Sequence, residues 1–286
     1  MRLNYLVSGF LGFGLSLSLF SLVASQDVTG TPESVSPEAG CMQPSTSMDT
    51  LNLLVFSKTA GYRHDSIPAG IAALEALAED RIWRVTATED AAEFNDEASV
   101  VWDVVIFLNT TGDILDPDQE AAFERFIQGG GGFVGIHSAA DTEYDWAWYG
   151  ELVGAYFASH PAITDAQVIV EDPAAPAAQT LPESWTRTDE WYNFQTNPRD
   201  TVHVILTVDE TSYEGGTMPD DHPIAWSHEY DGGRAFYTAM GHTVESFSEP
   251  LYLEHLIGGI EWAGGRCVSL PEAAVTSEPD SESGAG

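Results

Sequence analysis

The chain has 286 residues, 43% of them hydrophobic and 11% aromatic, which suits one large or two small globular domains and excludes disorder along its whole length. Its 45 acidic residues stand against 10 lysines and arginines, a formal charge of −35, and Lys58 is the only lysine. Such a surface repels phosphate backbones and anionic headgroups, so nucleic acid and membrane surfaces are excluded as partners, and it stays hydrated at high salt, which points to a halophilic setting.

In chain order, residues 1–25 read as a signal peptide. Arg2 precedes an apolar stretch that ends in Val23, Ala24 and Ser25, small residues of the kind a signal peptidase accepts. Cleavage before Gln26 and export to the periplasm or the extracellular space are expected, with a retained membrane anchor as the competing reading. Residues 26–48 are rich in Thr, Pro, Glu and Ser and read as a disordered linker; residues 267–286 read as a disordered acidic tail. Between them, residues 49–266 form one domain. Cys41 and Cys267 flank it, and in an exported protein two cysteines suggest a disulfide.

Within the domain, residues 51–57 are a continuous apolar run that predicts a buried strand, followed by a polar loop and a helix over 67–78. Strands are predicted at 83–88, 103–108 and 132–138. A helix starts at Pro117 behind Asp116 and runs to about Gln128, where four glycines stop it. A further helix is predicted over 148–157, strands over 166–171, 202–208, 224–229 and 234–239, and a last helix over 250–263. Alternating strands and helices followed by strands with long loops predict an α/β fold. The expected form is a flavodoxin-like layered sheet, mostly parallel, with an added antiparallel portion.

In such sheets ligands sit beyond the carboxyl ends of the strands, so the polar residues that follow them are the candidates. They include His64 after the first strand, His137 with Ser138 and Asp141 after the fourth, and His242 after the last. Gly135 and Ala139 lie two residues either side of His137, the spacing of a sharp elbow that lifts one side chain above the sheet. Histidine there serves as acid, base or metal ligand but replaces a thiolate poorly as a nucleophile. Glu190, beside Trp191 and Tyr192, is the candidate carboxylate, and His160 a further candidate for the same region. The aromatic rings offer faces for sugar stacking, although core packing is the commoner use. The expectation is a shared site in which His137 and Glu190 are catalytic. His64, Ser138, Asp141, His160, Trp191, Tyr192 and His242 then contact substrate, with a divalent metal as an alternative occupant.

The segments Gly-Tyr-Arg-His-Asp-Ser-Ile (61–67), Gly-Phe-Val-Gly-Ile-His-Ser-Ala-Ala-Asp (132–141), His160-Pro161, Asp189-Glu190-Trp191-Tyr192 and Met-Gly-His (240–242) together resemble the ThuA-like (trehalose utilisation) family. The resemblance implies a fold related to class I glutamine amidotransferases, and a role on glycosides or oxidised, 3-keto sugars. Those amidotransferases carry a nucleophilic cysteine at the elbow; here His137 stands in that place, so glutamine hydrolysis is not expected. A small carbohydrate is therefore the expected partner, with a non-catalytic carbohydrate-binding module and a metal-dependent hydrolase of another substrate as alternatives.

Overall fold

The computed structural model describes residues 50–266. The signal segment, the linker, the tail and the Cys41–Cys267 pair lie outside the described residues.

A nine-stranded sheet organises the domain. Five strands run parallel: β1 (Leu51–Phe56), β2 (Trp83–Thr88), β3 (Val104–Leu108), β4 (Gly132–Ile136) and β11 (Gly233–Thr238). The extension is antiparallel: β6 (Thr164–Val170), β7 (Ser184–Asp189), β9 (His203–Asp209) and β10 (Pro223–Tyr230). The order across the sheet is β2-β1-β3-β4-β11-β10-β9-β6-β7, and direction switches at the β11–β10 hairpin. A separate two-stranded pair joins β5 (Phe157–Ser159) and β8 (Asn193–Phe194). The fold is thus the mixed, mostly parallel flavodoxin-like class that the sequence predicts.

The central strands are buried at every residue, as β3 and β4 show, because helices cover both faces of a parallel sheet. The helices are α1 (Ile67–Glu79), the short α2 (Asp96–Ser99), α3 (Pro117–Gln128), α4 (Ala147–Val153) and α5 (Pro250–Ala263). Helix α3 starts where its sequence says it should. Asp116 accepts from the backbone of Asp118 and Gln119 while the Gln119 side chain accepts from Asp116 N–H, a complete capping box. Helix α5 packs tightly on the sheet: a Cβ on Gly132 would lie 2.5 Å from the Ala263 carbonyl oxygen. Among the described residues, no helix is long and apolar enough to cross a membrane.

Three expectations change. The helix predicted over 148–157 is α4, which ends at Val153 because Gly154 takes a φ of 93°, and the chain then extends into β5. The strand predicted over 132–138 stops at Ile136 and turns into a 3-10 segment, His137–Asp141, rather than an α-helix. Strand β7 has no counterpart among the predicted strands. Its buried positions include Arg187 and Asp189, so the apolar alternation that marks a strand is absent.

Candidate active site

Four loops at the carboxyl ends of the strands meet above the sheet, and bridges between Thr59 and Thr111 and between Gly112 and Thr142 lace three of them together. Asn109, just past β3, is buried with φ at 50°, a left-handed conformation that asparagine tolerates better than most residues. Its side-chain amide donates to Ser66 Oγ at 2.9 Å and to the Gly241 carbonyl at 3.1 Å, which ties the loop before α1 to the loop after β11.

His137 sits on the turn after β4 with φ also at 50°. A histidine held there costs on the order of 1–3 kcal/mol unless its surroundings fix it, and here β11 and the residue that follows it do so. The Tyr237 hydroxyl donates to the His137 carbonyl at 2.8 Å, and His137 Nδ1–H donates to the Ala239 carbonyl at 2.7 Å. In the neutral ring that second bond leaves the Nε2 lone pair facing the cluster. Gly135 and Ala139 are small for the reason the elbow requires: a Cβ on Gly135 would lie 2.9 Å from Tyr237 and 3.3 Å from the Ala139 methyl.

Around His137 the ionisable groups converge. His242 Nδ1 lies 3.2 Å from His137 Nε2 and 3.0 Å from Glu190 Oε2, and Glu190 Oε2 is 3.5 Å from His137 Nε2. The His64 ring stands edge-on to both other imidazoles, with centroids 4.9 Å from each, and Ser138 Oγ is 3.3 Å from its Nδ1. One ligand atom from each of His64, His137, Glu190 and His242 falls within 4.8 Å of all the others, the arrangement a metal ion would need. The second oxygen of Glu190 faces outward to His160 Nδ1 at 2.9 Å, on a ring still 42% exposed.

Electrostatics follow from this crowding. Burial, together with the neighbouring His137 and His242, lowers His64 to about 3, so its imidazole is neutral at physiological pH. Burial alone would raise the Glu190 carboxyl, but its bonds to His137 and His242 outweigh that and hold it well below the usual carboxylate range. The pocket therefore sets a neutral His64 imidazole beside a fixed negative charge, suited to accepting a proton or binding a cation.

The remaining candidates divide. Asp141 is half-buried, accepts from the Tyr144 hydroxyl at 2.6 Å, and burial raises its carboxyl. Tyr192 is buried, with its ring 4.1 Å from that of His137, so it packs the floor of the pocket instead of offering a free face to substrate. Trp191 is fully buried and its indole N–H donates to the Thr164 carbonyl; the expected substrate contact is corrected, because the ring has no face open to a ligand. The sequence reading passed over Tyr62, whose ring is 64% exposed and stands edge-on to His64 at 4.9 Å.

It also passed over Asp189. This fully buried carboxylate accepts from the backbone N–H of Gly241 at 2.8 Å, of His242 at 3.1 Å and of Glu190 at 2.9 Å, and pairs with Arg187 at 3.2 Å. Two of the four clustered side chains are thus set by one residue. A carboxylate next to Glu190 was the only sequence signal. Elsewhere, a cleft of about 460 Å³ between Trp102, Arg125, Gly130 and Arg234 opens at the opposite, amino-terminal edge of β3 and β4 and gathers no histidine.

Comparison with known proteins agrees with this fold. A family model described as ThuA, trehalose utilisation, matches residues 52–263. No curated protein matches. Among solved structures, a putative ThuA-like protein from Bacteroides uniformis is 22% identical with a TM-score of 0.65, covering 82% of this chain and 95% of its own. Another from Parabacteroides merdae is 16% identical with a TM-score of 0.65, covering 78% and 94%. A β-galactosidase from Bacillus circulans shares the fold over 76% of this chain and 31% of its own, at 14% identity and a TM-score of 0.52. The family description suggests a carbohydrate-related role. On the match over residues 52–263, the chain belongs to the ThuA (trehalose utilisation) family.

Proposed function

We propose that this protein is an exported carbohydrate-active enzyme whose substrate is a glycoside or an oxidised sugar such as a 3-keto disaccharide. The observation that carries the reading is the convergence of His64, His137, Glu190 and His242 from four separate loops, three of them buried. A fold gains little from crowding three imidazoles and a carboxylate out of water, where each pays desolvation, whereas a reaction centre needs such groups. His137 Nε2 and the Glu190 carboxylate lie 3.5 Å apart within this cluster, close enough to act on one substrate. Tyr62 and His160 stand at the exposed side and offer a ring face and a polar edge to a sugar. The net charge of −35 favours a neutral substrate over a phosphorylated one.

The test is turnover of trehalose, other disaccharides and their 3-keto forms by the purified chain, followed by sugar-product analysis. Turnover that His137→Ala lowers by roughly two to four orders of magnitude supports the reading. Saturable sugar binding with no turnover supports a carbohydrate-binding module instead. Export has its own check: the mature protein should have lost about 25 residues by intact mass, the usual length of a signal segment, and retention of Met1 or Arg2 contradicts it.

A further inference from the structure

We infer that His64, His137, Glu190 and His242 bind one divalent transition-metal ion of zinc type. The inference deepens the proposed function and rests on it in one respect, that this cluster is the reaction centre. Distances carry it. Two donor atoms each about 2.1 Å from a tetrahedral ion lie about 3.4 Å apart. The three separations among His137 Nε2, His242 Nδ1 and Glu190 Oε2 are 3.2, 3.0 and 3.5 Å. His64 joins them, since one ligand atom from each of the four residues lies within 4.8 Å of all the others.

The supporting bonds fit the same assignment. A histidine that binds metal usually donates its other ring N–H to a carbonyl or carboxylate, which fixes its tautomer and aims its lone pair. His137 does so through Nδ1 to Ala239, on a backbone turned into the left-handed region to place it. Asp189 holds the main chain of both Glu190 and His242, and Glu190 keeps its second oxygen on His160. Among the described residues, the ion-pair partners of the Glu190 carboxylate are all histidines. The donor set selects the ion. Three imidazoles and one carboxylate suit zinc and its neighbours, whereas magnesium and calcium prefer oxygen throughout. Such an ion polarises a sugar carbonyl or lowers the pKa of a bound hydroxyl, with the exposed side by Tyr62 and His160 as the way in.

Cobalt(II) tests this on the intact chain, because its visible absorption reports coordination directly. Chelator-stripped protein titrated with Co²⁺ should take up one ion per chain, with the intense bands of a four-coordinate site, and Zn²⁺ should displace it while Mg²⁺ does not. Glu190→Gln and His242→Ala should each weaken Zn²⁺ by more than the roughly 10- to 100-fold that loss of a supporting hydrogen bond costs. Should either variant fail to fold, the thermal melting point of the unaltered chain still decides, since a ligand bound only by the native state must raise it. Uptake below one ion per chain together with no shift in melting on adding Zn²⁺ overturns the metal. Sugar turnover that survives complete chelation also overturns it and leaves the proposed function standing. Stoichiometric uptake with no sugar turnover keeps the metal and removes the sugar.

Discussion

The two halves of the sheet are built on different physics. In the parallel half β3 and β4 are buried end to end in aliphatic and aromatic side chains, with Phe107, Phe123 and Phe133 in mutual ring contact. In the antiparallel half β7 alternates exposed residues with the buried charges Arg187 and Asp189, and Glu249 completes the pair at 3.0 Å from Arg187. The parallel half is held by non-directional burial, whereas in the antiparallel half the strand β7 adds a directed polar network to the apolar burial of β9 and β10. The candidate site needs both: the first supplies a rigid edge for His64 and His137, the second fixes Glu190 and, through Asp189, the backbone of His242.

The largest effect expected from breaking this arrangement is on turnover. His137→Ala should reduce sugar turnover by roughly two to four orders of magnitude with little change in the circular dichroism spectrum, because the Tyr237 hydroxyl still holds the carbonyl of the turn. A variant with near-normal rates would return His137 to a structural role.

Asp189→Asn strikes the polar half. Asparagine keeps one acceptor oxygen but turns an amide donor toward Arg187 or the Gly241 N–H, leaving the buried guanidinium with Glu249 as its one remaining carboxylate among the described residues. Breaking a buried pair costs about 3–5 kcal/mol. Denaturant unfolding should show a loss of that order, with Zn²⁺ affinity falling as well. An unchanged midpoint would mean that the Arg187 to Glu249 bridge suffices alone.

His255, in the apolar half, gives the contrasting pH dependence. Burial lowers it to about 4, opposed by its Nδ1–H bond to the Ala177 carbonyl and assisted by the charge of Arg187. Its ordinary value is 6.5. Between 6.5 and 4 the unfolded chain therefore binds the proton that the folded chain refuses, so stability is full above this window and falls as pH drops through it. The loss amounts to roughly 3 kcal/mol. His255→Gln should flatten that part of the stability profile relative to the unaltered protein; parallel profiles would contradict the assignment.

Gly132→Ala should give the smallest effect. Its new methyl meets the α5 backbone at Ala263 and forces a shift costing about 1–3 kcal/mol. Sugar turnover and metal uptake should survive, since the contact lies at the amino end of β4, away from the histidines.

What the sequence made legible follows the same division. β2, α3 and α5 are read from it with the bounds the structure shows, because apolar runs and capping residues are local signals. The three histidines were legible because each follows an apolar strand. Strand β7 was not, since its buried residues are charged. The reach of Asp189 to Gly241 spans 52 positions, a pairing that exists only once the sheet has formed. Trp191 reads as a stacking ring from residue type, while its burial depends on tertiary packing that residue type does not show.

The central claim, that groups from both halves act as one centre, is tested most directly by a double-mutant cycle on sugar turnover with His137→Ala, Glu190→Gln and the pair. Residues that act as a unit are far from additive. The account predicts that the double variant is hardly slower than the worse of the two single variants. Losses that multiply would show two independent contributions and contradict a single centre.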